Sequence, residues 1–363
     1  MVTKNVHKKE TGKKEVPVAA PTLAALRDGF GEGILIAARA DKNVVALSAD
    51  LTESNRLSAF EKEFPDRFVS VGVAEQNLIG VAAGMAHAGK IAFAASFAVF
   101  SPGRSWDQLR VSGCYSNNNI KLYGGHAGLT VGEDGATHQA LEDIAITRCI
   151  PNMTVIVPAD AIEMRKATIA AAQHPGSVYL RGGREKLPSA TTEDTPFTIG
   201  KANILRKGTD VTIIACGILV HEALLAADEL TKQRISARVI DLHTIKPIDI
   251  AAIIDAAHET GTIVTAEEHQ HNGGMGSAVA EVVSARHPVP IEMVAVRDTF
   301  GESGVSSALL DKYGLRAMDI VHAAKRALDR KRHTTTRRET LDVKASHVRA
   351  LNGTTKAVKR KKR

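Results

Sequence analysis

Two short stretches of this chain carry side chains able to do chemistry. In Gly72-Val73-Ala74-Glu75-Gln76-Asn77 a carboxylate stands where the apolar run Phe68–Val71 gives way to a helix rich in small residues. The helix dipole favours an acid in such a first turn. Gly80 and Gly84, one turn apart, leave room for another helix to approach closely. The second stretch is a glycine-rich loop, Gly124 to Gly135, that carries His126 and Asp134 and is followed by His138. Glycine is expected where backbone must approach a ligand. Between the two, Phe97 and Phe100 stand three apart and offer flat apolar faces. Each feature alone has an ordinary explanation: a helix-start acid, a turn histidine, two core phenylalanines. Their succession along one chain is what points to a site.

The elements that must position these residues are legible from pattern. The chain has 363 residues, 44% hydrophobic and 24% charged, enough for two domains with sizeable cores. No run of about 18 uncharged apolar residues is present to span a bilayer. The Lys-rich start lacks the apolar centre of a secretory signal. Cys114, Cys149 and Cys216 show no metal-ligand spacing, so a reduced, cytoplasmic setting is expected. The net charge of +7 comes from the ends. Residues 331–363 and the first fifteen residues are both lysine-rich, and the body between them is mildly acidic. The C-terminal tail has no aromatic residue for base stacking, so it is read as a solvated, disordered extension rather than a nucleic-acid site.

Short β-rich runs alternate with helical patterns. The predicted strands are Val44–Leu47, Ile91–Ala95, Ile120–Tyr123 and Thr154–Val157, then Val211–Ala215, Ala237–Ile240, Thr262–Thr265 and Ile291–Val294. Predicted helices cover Ala161–Ala172, Val220–Lys232 and Gly276–Ala285, and Asp160 and Asp249 stand at N-cap positions. This pattern predicts an α/β protein of two doubly wound domains with mainly parallel sheets. The expected division is a basic extension over 1–20, a first domain over 21–187, a polar linker over 188–199, a second domain over 200–330 and a basic tail over 331–363.

Order and spacing of motifs make the chain specific. Phe64-Pro65-Asp66-Arg67-Phe68, Ala74-Glu75-Gln76-Asn77, Ser96-Phe97-Ala98-Val99-Phe100, Gly132-Glu133-Asp134-Gly135, Leu141-Glu142-Asp143 and Thr244-Ile245-Lys246-Pro247 follow one another. From about Leu23 to Leu328 the chain resembles the C-terminal two-thirds of a transketolase. The resemblance implies a thiamine diphosphate-binding pyrimidine domain followed by a transketolase C-terminal domain. It implies transfer of a two-carbon glycolaldehyde unit from a ketose phosphate to an aldose phosphate through a thiamine diphosphate carbanion. By the same resemblance Glu75 hydrogen-bonds the aminopyrimidine and promotes its proton relay, a task suited to a carboxyl in apolar surroundings. Phe97 and Phe100 would wall the pyrimidine, and Asp50 would lie near the thiazolium. Asp134 would bond a sugar hydroxyl and His138 would stand beside the reacting sugar. His126, Arg27, Ser54 and Arg184 would hold the substrate phosphate, which needs fixed cationic donors. Ser101-Pro102-Gly103 departs from the family pattern by an extra residue before Arg104.

The family's diphosphate is held through Mg²⁺ by a Gly-Asp-Gly motif, which this chain does not contain. The metal ligands are therefore expected on another polypeptide, the N-terminal diphosphate-binding subunit of a split transketolase, with self-association into an α2β2 assembly. The second domain carries Glu267-Glu268-His269 without a nucleophile–base pair, and its expected role is assembly. Two rivals share this architecture. A 1-deoxy-D-xylulose-5-phosphate synthase is disfavoured because it carries Arg where His126 stands. The β subunit of a 2-oxo acid dehydrogenase is disfavoured by Asp134 and His138. A non-enzymatic scaffold is disfavoured because Glu75, Phe100, Asp134 and both histidines are all present.

Overall fold

The computed structural model describes residues 23–333. The basic extension and nearly all of the basic tail lie outside them. Among the described residues fourteen strands are formed: β1 (Leu23–Ala25), β2 (Val44–Ser48), β3 (Phe68–Ser70), β4 (Ile91–Phe97), β5 (Ile120–Gly125), β6 (Met153–Ile156), β7 (Ser177–Arg181), β8 (Lys186–Pro188), β9 (Asn203–Arg206), β10 (Val211–Ala215), β11 (Ala237–Asp241), β12 (Thr244–Lys246), β13 (Ile263–Gln270) and β14 (Ile291–Val296). They build two large sheets and a small antiparallel pair of β1 and β8. The fold is α/β with mainly parallel sheets, as the alternating pattern implies.

The first sheet has the order β12-β6-β7-β5-β4-β2-β3 and is parallel except for β12. Its central strands are buried along their whole length, as expected when helices cover both faces. The second sheet has the order β14-β13-β10-β11-β9, parallel except for β9. β12 follows β11 in the chain yet pairs with β6 of the first sheet. The two units are thus joined by backbone hydrogen bonds as well as by packing, and Val157 N–H donates to His243 O within the same seam.

Several helices obey the sequence signals closely. Asp160 accepts from Glu163 N–H at the start of Ala161–Gln173, and Asp249 accepts from Ala252 N–H at the start of Ile250–Thr260. The helix Leu26–Ala40 packs on Ala161–Gln173 through glycine. A Cβ at Gly29 would overlap Ala161 O, and one at Gly33 would press on Thr168. The chain remains helical over 317–333, so the first three residues of the expected tail continue a helix. No helix among the described residues is long and apolar enough to cross a membrane.

Candidate active site

The parallel order of the first sheet decides where the chemistry-bearing residues meet. Asp50 and Ser54 follow β2, Glu75 follows β3, and Phe97 ends β4 with Phe100 just beyond it. His126, Asp134 and His138 follow β5, and Arg184 follows β7. All lie at or beyond the carboxyl ends of neighbouring strands, where open α/β sheets hold their ligands.

Glu75 is the first residue of the helix Glu75–His87 and is only 5% exposed. Gly72, with φ of 73°, turns the chain from β3 into this helix. The partner of the carboxylate is Arg104, whose Nη1 lies 3.2 Å from both Oε1 and Oε2. The same guanidinium lies over the Phe100 ring, 4.2 Å from its centroid. Arg104 is half exposed. A planar cation therefore fills the space bounded by the Glu75 carboxylate and the Phe100 face. Here the Glu75 carboxylate offers hydrogen-bond acceptors and Phe100 a flat apolar face.

Aromatic contacts carry the site onward. Phe97 and Phe100 lie 6.1 Å apart, and Phe97 stacks on His126 at 3.9 Å. His138 meets Phe100 edge-on at 5.2 Å and Phe97 at 6.5 Å. The structure thus brings Glu75, Phe97, Phe100, His126 and His138 into one connected group. His126 has the left-handed φ of 53°, and its Nδ1 is buried without a partner. Burial first, then Arg27 and Arg184, lowers its pKa to about 3, so the ring is neutral in the physiological range. It can offer a hydrogen bond but not a charge, a refinement of the expected phosphate-holding role. His138 Nδ1 faces Thr137 Oγ1 at 2.9 Å.

A cationic edge borders this group. Arg27 Nη1 donates to Ser54 O at 3.3 Å, which links two expected phosphate contacts. Arg184 Nη1 donates to Val131 O at 2.9 Å and lies 3.4 Å from Asp134 Oδ2. Both Arg184 and Asp134 are more than one-third exposed, so the pair is open to exchange for a ligand. Ser54 is half-buried, and Asp50 is exposed with a left-handed φ of 59°. The structure gives Asp50 no hydrogen bond or ion pair to the rest of the group.

Sequence reasoning missed three contributors. Arg104 lies just past the irregular Ser101–Gly103 segment and forms the only ion pair to Glu75 among the described residues. Asn55 is fully buried with both side-chain polar atoms unpartnered, and a Cβ on Gly125 would overlap its Oδ1. Its place beside Ser54 was the available signal. Glu268 reaches the loop after β5 from the second sheet, accepting from Thr130 N–H at 2.6 Å and from Thr130 Oγ1 at 3.3 Å. Its neighbours in the Glu267–His269 cluster do structural work. Glu267 accepts from Met275 and Gly276 N–H at a helix start, and His269 Nε2 accepts from Ala145 N–H.

Residues 23–189 match the transketolase pyrimidine-binding domain, and residues 200–320 match the transketolase C-terminal domain. The chain is 45% identical over 306 residues to the 6-deoxy-6-sulfo-D-fructose transketolase subunit SqwH of Clostridium sp. (strain MSTE9), covering 84% of this chain and 95% of that one. It is 42% identical over 306 residues to an apulose-4-phosphate transketolase subunit of Phocaeicola vulgatus, covering 84% and 98%. Among solved structures, a split gene transketolase described as an inactive beta4 tetramer superposes with a TM-score of 0.78 at 45% identity, covering 85% of this chain and 99% of that one. A buried carboxylate facing an aromatic plane at the carboxyl edge of a parallel sheet, within two matched domains and alongside subunit-length relatives, identifies the chain as a member of the transketolase family of the split-subunit type.

Proposed function

We propose that the chain is the pyrimidine-binding subunit of a split transketolase and moves a two-carbon glycolaldehyde unit from a ketose phosphate to an aldose phosphate. A second subunit carrying the diphosphate-binding half and the Mg²⁺ ligands completes the site. The observation that carries this reading is the Glu75 carboxylate facing the Phe100 ring across a gap that a planar cation already occupies. When bound there, thiamine diphosphate supplies the electron sink for breaking the sugar C2–C3 bond.

The chain's own residues do the rest. Glu75 presents its carboxyl to the pyrimidine edge as the hydrogen-bonding group of a proton relay. Phe100, backed by Phe97, stacks on the ring and keeps water off it. His126, kept neutral by burial, offers a hydrogen bond to the substrate phosphate, His138 stands beside the reacting sugar, and Asp134 accepts from a sugar hydroxyl. Arg27 and Arg184, with Ser54, receive the phosphate at the mouth. Asp50 faces the thiazolium side. Arg104 has to leave Glu75 for the heterocycle to enter.

The test is reconstitution with the diphosphate-binding partner, followed by xylulose 5-phosphate and ribose 5-phosphate. Formation of sedoheptulose 7-phosphate is the expected result, and activity with pyruvate alone would overturn it. Glu75→Ala is expected to lose nearly all turnover while co-purifying with the partner as the wild type does. Near-normal turnover in that variant would remove the central role of Glu75. The relatives' names point to a sulfonated hexose and to apulose 4-phosphate, so the donor panel includes ketoses with sulfonate in place of phosphate.

A further inference from the structure

The loop that carries Asp134 between His126 and His138 is not held by its own domain alone. Glu268 stands on β13 of the second sheet and is 4% exposed. Its carboxylate grips Thr130 through the backbone N–H at 2.6 Å and the hydroxyl at 3.3 Å. Gly128, with φ of 85°, lies so close that a Cβ there would overlap the Glu268 carboxyl group. The far end of the loop is tied to the same strand. Buried Arg181 donates from Nη2 to Ala140 O at 3.1 Å and to Glu268 O at 2.9 Å, while its Nε donates to Asp143 Oδ2 at 2.7 Å. Further along, Ser303 Oγ donates to Glu133 O, Ser306 Oγ donates to Thr130 O at 3.1 Å, and Gln139 Nε2 donates to Glu302 O at 2.9 Å.

From this arrangement we propose that Glu268 is a positioning residue for the sugar-binding loop, and that the second domain thereby sets substrate affinity as well as assembly. Glu268 touches neither substrate nor cofactor. It acts by fixing the 3-10 turn Leu129–Asp134, which ends in the carboxylate assigned to the sugar and supplies the Val131 carbonyl that Arg184 grips. The two carboxyl oxygens accept separately from the Thr130 amide and hydroxyl, so loss of either acceptor loosens the turn without removing any ligand contact. The proposal rests on the transketolase reading for its consequence, but not for its physical basis.

Two measurements test it. In the isolated full chain, hydrogen–deuterium exchange follows the amides of 128–134. Glu268→Gln keeps the shape but replaces one of the two acceptor oxygens with an NH2 donor, and it is expected to speed exchange there by roughly tenfold or more while β10 amides stay protected. In the enzyme reconstituted with its partner subunit, the same variant is expected to raise the KM for ketose phosphate roughly tenfold. Saturating kcat and half-saturation by thiamine diphosphate should stay within about twofold of wild type, the split expected when ground-state and transition-state binding weaken together. Thr130→Val removes only the hydroxyl contact from the loop side, and should give the same pattern at roughly threefold. Unchanged exchange over 128–134, or a lower kcat with unchanged KM, overturns the proposal. A wild-type chain that ignores ketose phosphates would fell the functional reading instead, leaving the exchange result to decide whether Glu268 holds the loop.

Discussion

At the scale of single residues, the contact between Arg104 and Glu75 is the finding with the most consequence. The guanidinium makes a bifurcated contact to both carboxylate oxygens and stacks on Phe100, so it competes for the place assigned to the aminopyrimidine. Arg104→Ala is expected to lower the thiamine diphosphate concentration for half-maximal activation of the reconstituted enzyme, by roughly fivefold on the scale of one partly exposed charged contact. Titration of activity against cofactor measures it, and a higher half-saturation would mean that Arg104 helps hold the cofactor. Arg184 makes a different prediction. It lies at an exposed edge with Asp134 as its only ion-pair partner among the described residues, so Arg184→Ala should weaken phosphorylated substrates more than unphosphorylated ones. Equal losses in kcat/KM for both classes would end its phosphate assignment. Glu75, Phe100 and the loop histidines were legible as residue types in a motif. Arg104 was not, because its role depends on which way a long side chain turns after an irregular segment.

At the scale of elements, the packing of Ala161–Gln173 unites local and distant signals. Asp160 caps this helix and also accepts from Ala190 and Thr191 N–H at 2.8 and 2.6 Å, fixing the chain as it leaves the first sheet. Asp160→Ala removes the cap and leaves buried amides unpaired, an expected loss of about 3 kcal/mol read from denaturant midpoints. Further along the same helix, Glu163 faces Asp241 of β11 in a buried carboxyl pair to which no cation among the described residues is bonded. Burial raises both pKa values, that of Asp241 to about 7, with Asp160 and Asn203 also facing the pair. The folded state therefore holds a proton that the unfolded chain releases near pH 4. Stability contributed by the protonated Asp241 is complete below that pH and declines as pH rises from about 4 to about 7. Asp241→Asn should flatten the decline of the unfolding midpoint over that window, and an unaltered slope would locate the pH dependence elsewhere. The helix cap at Asp160 was readable from sequence, since capping is a local event. The carboxyl pair was not, because its members come from segments that meet only where the two sheets join.

At the scale of the whole molecule, the sequence contains no Gly-Asp-Gly motif, the feature that the proposed function assigns to a second subunit. Calorimetry on the chain alone is expected to register no Mg²⁺-dependent thiamine diphosphate binding, and binding should emerge when the partner subunit is added. Tight binding by the single chain would contradict the split-site reading. The sequence by itself determined the alternation of strands and helices, the helix starts at Asp160 and Asp249, and the succession of motifs from Phe64 to Pro247. Those features depend on backbone preference and on side-chain periodicity across a few residues, which any stretch of chain carries with it. Tertiary structure alone decided that β12 crosses to the first sheet, that Arg104 covers Glu75, and that Glu268 reaches a threonine 138 residues away. Such contacts arise when strand order sets distant loops side by side, and the free energy that selects them comes from burial and hydrogen bonding between segments that share no local pattern.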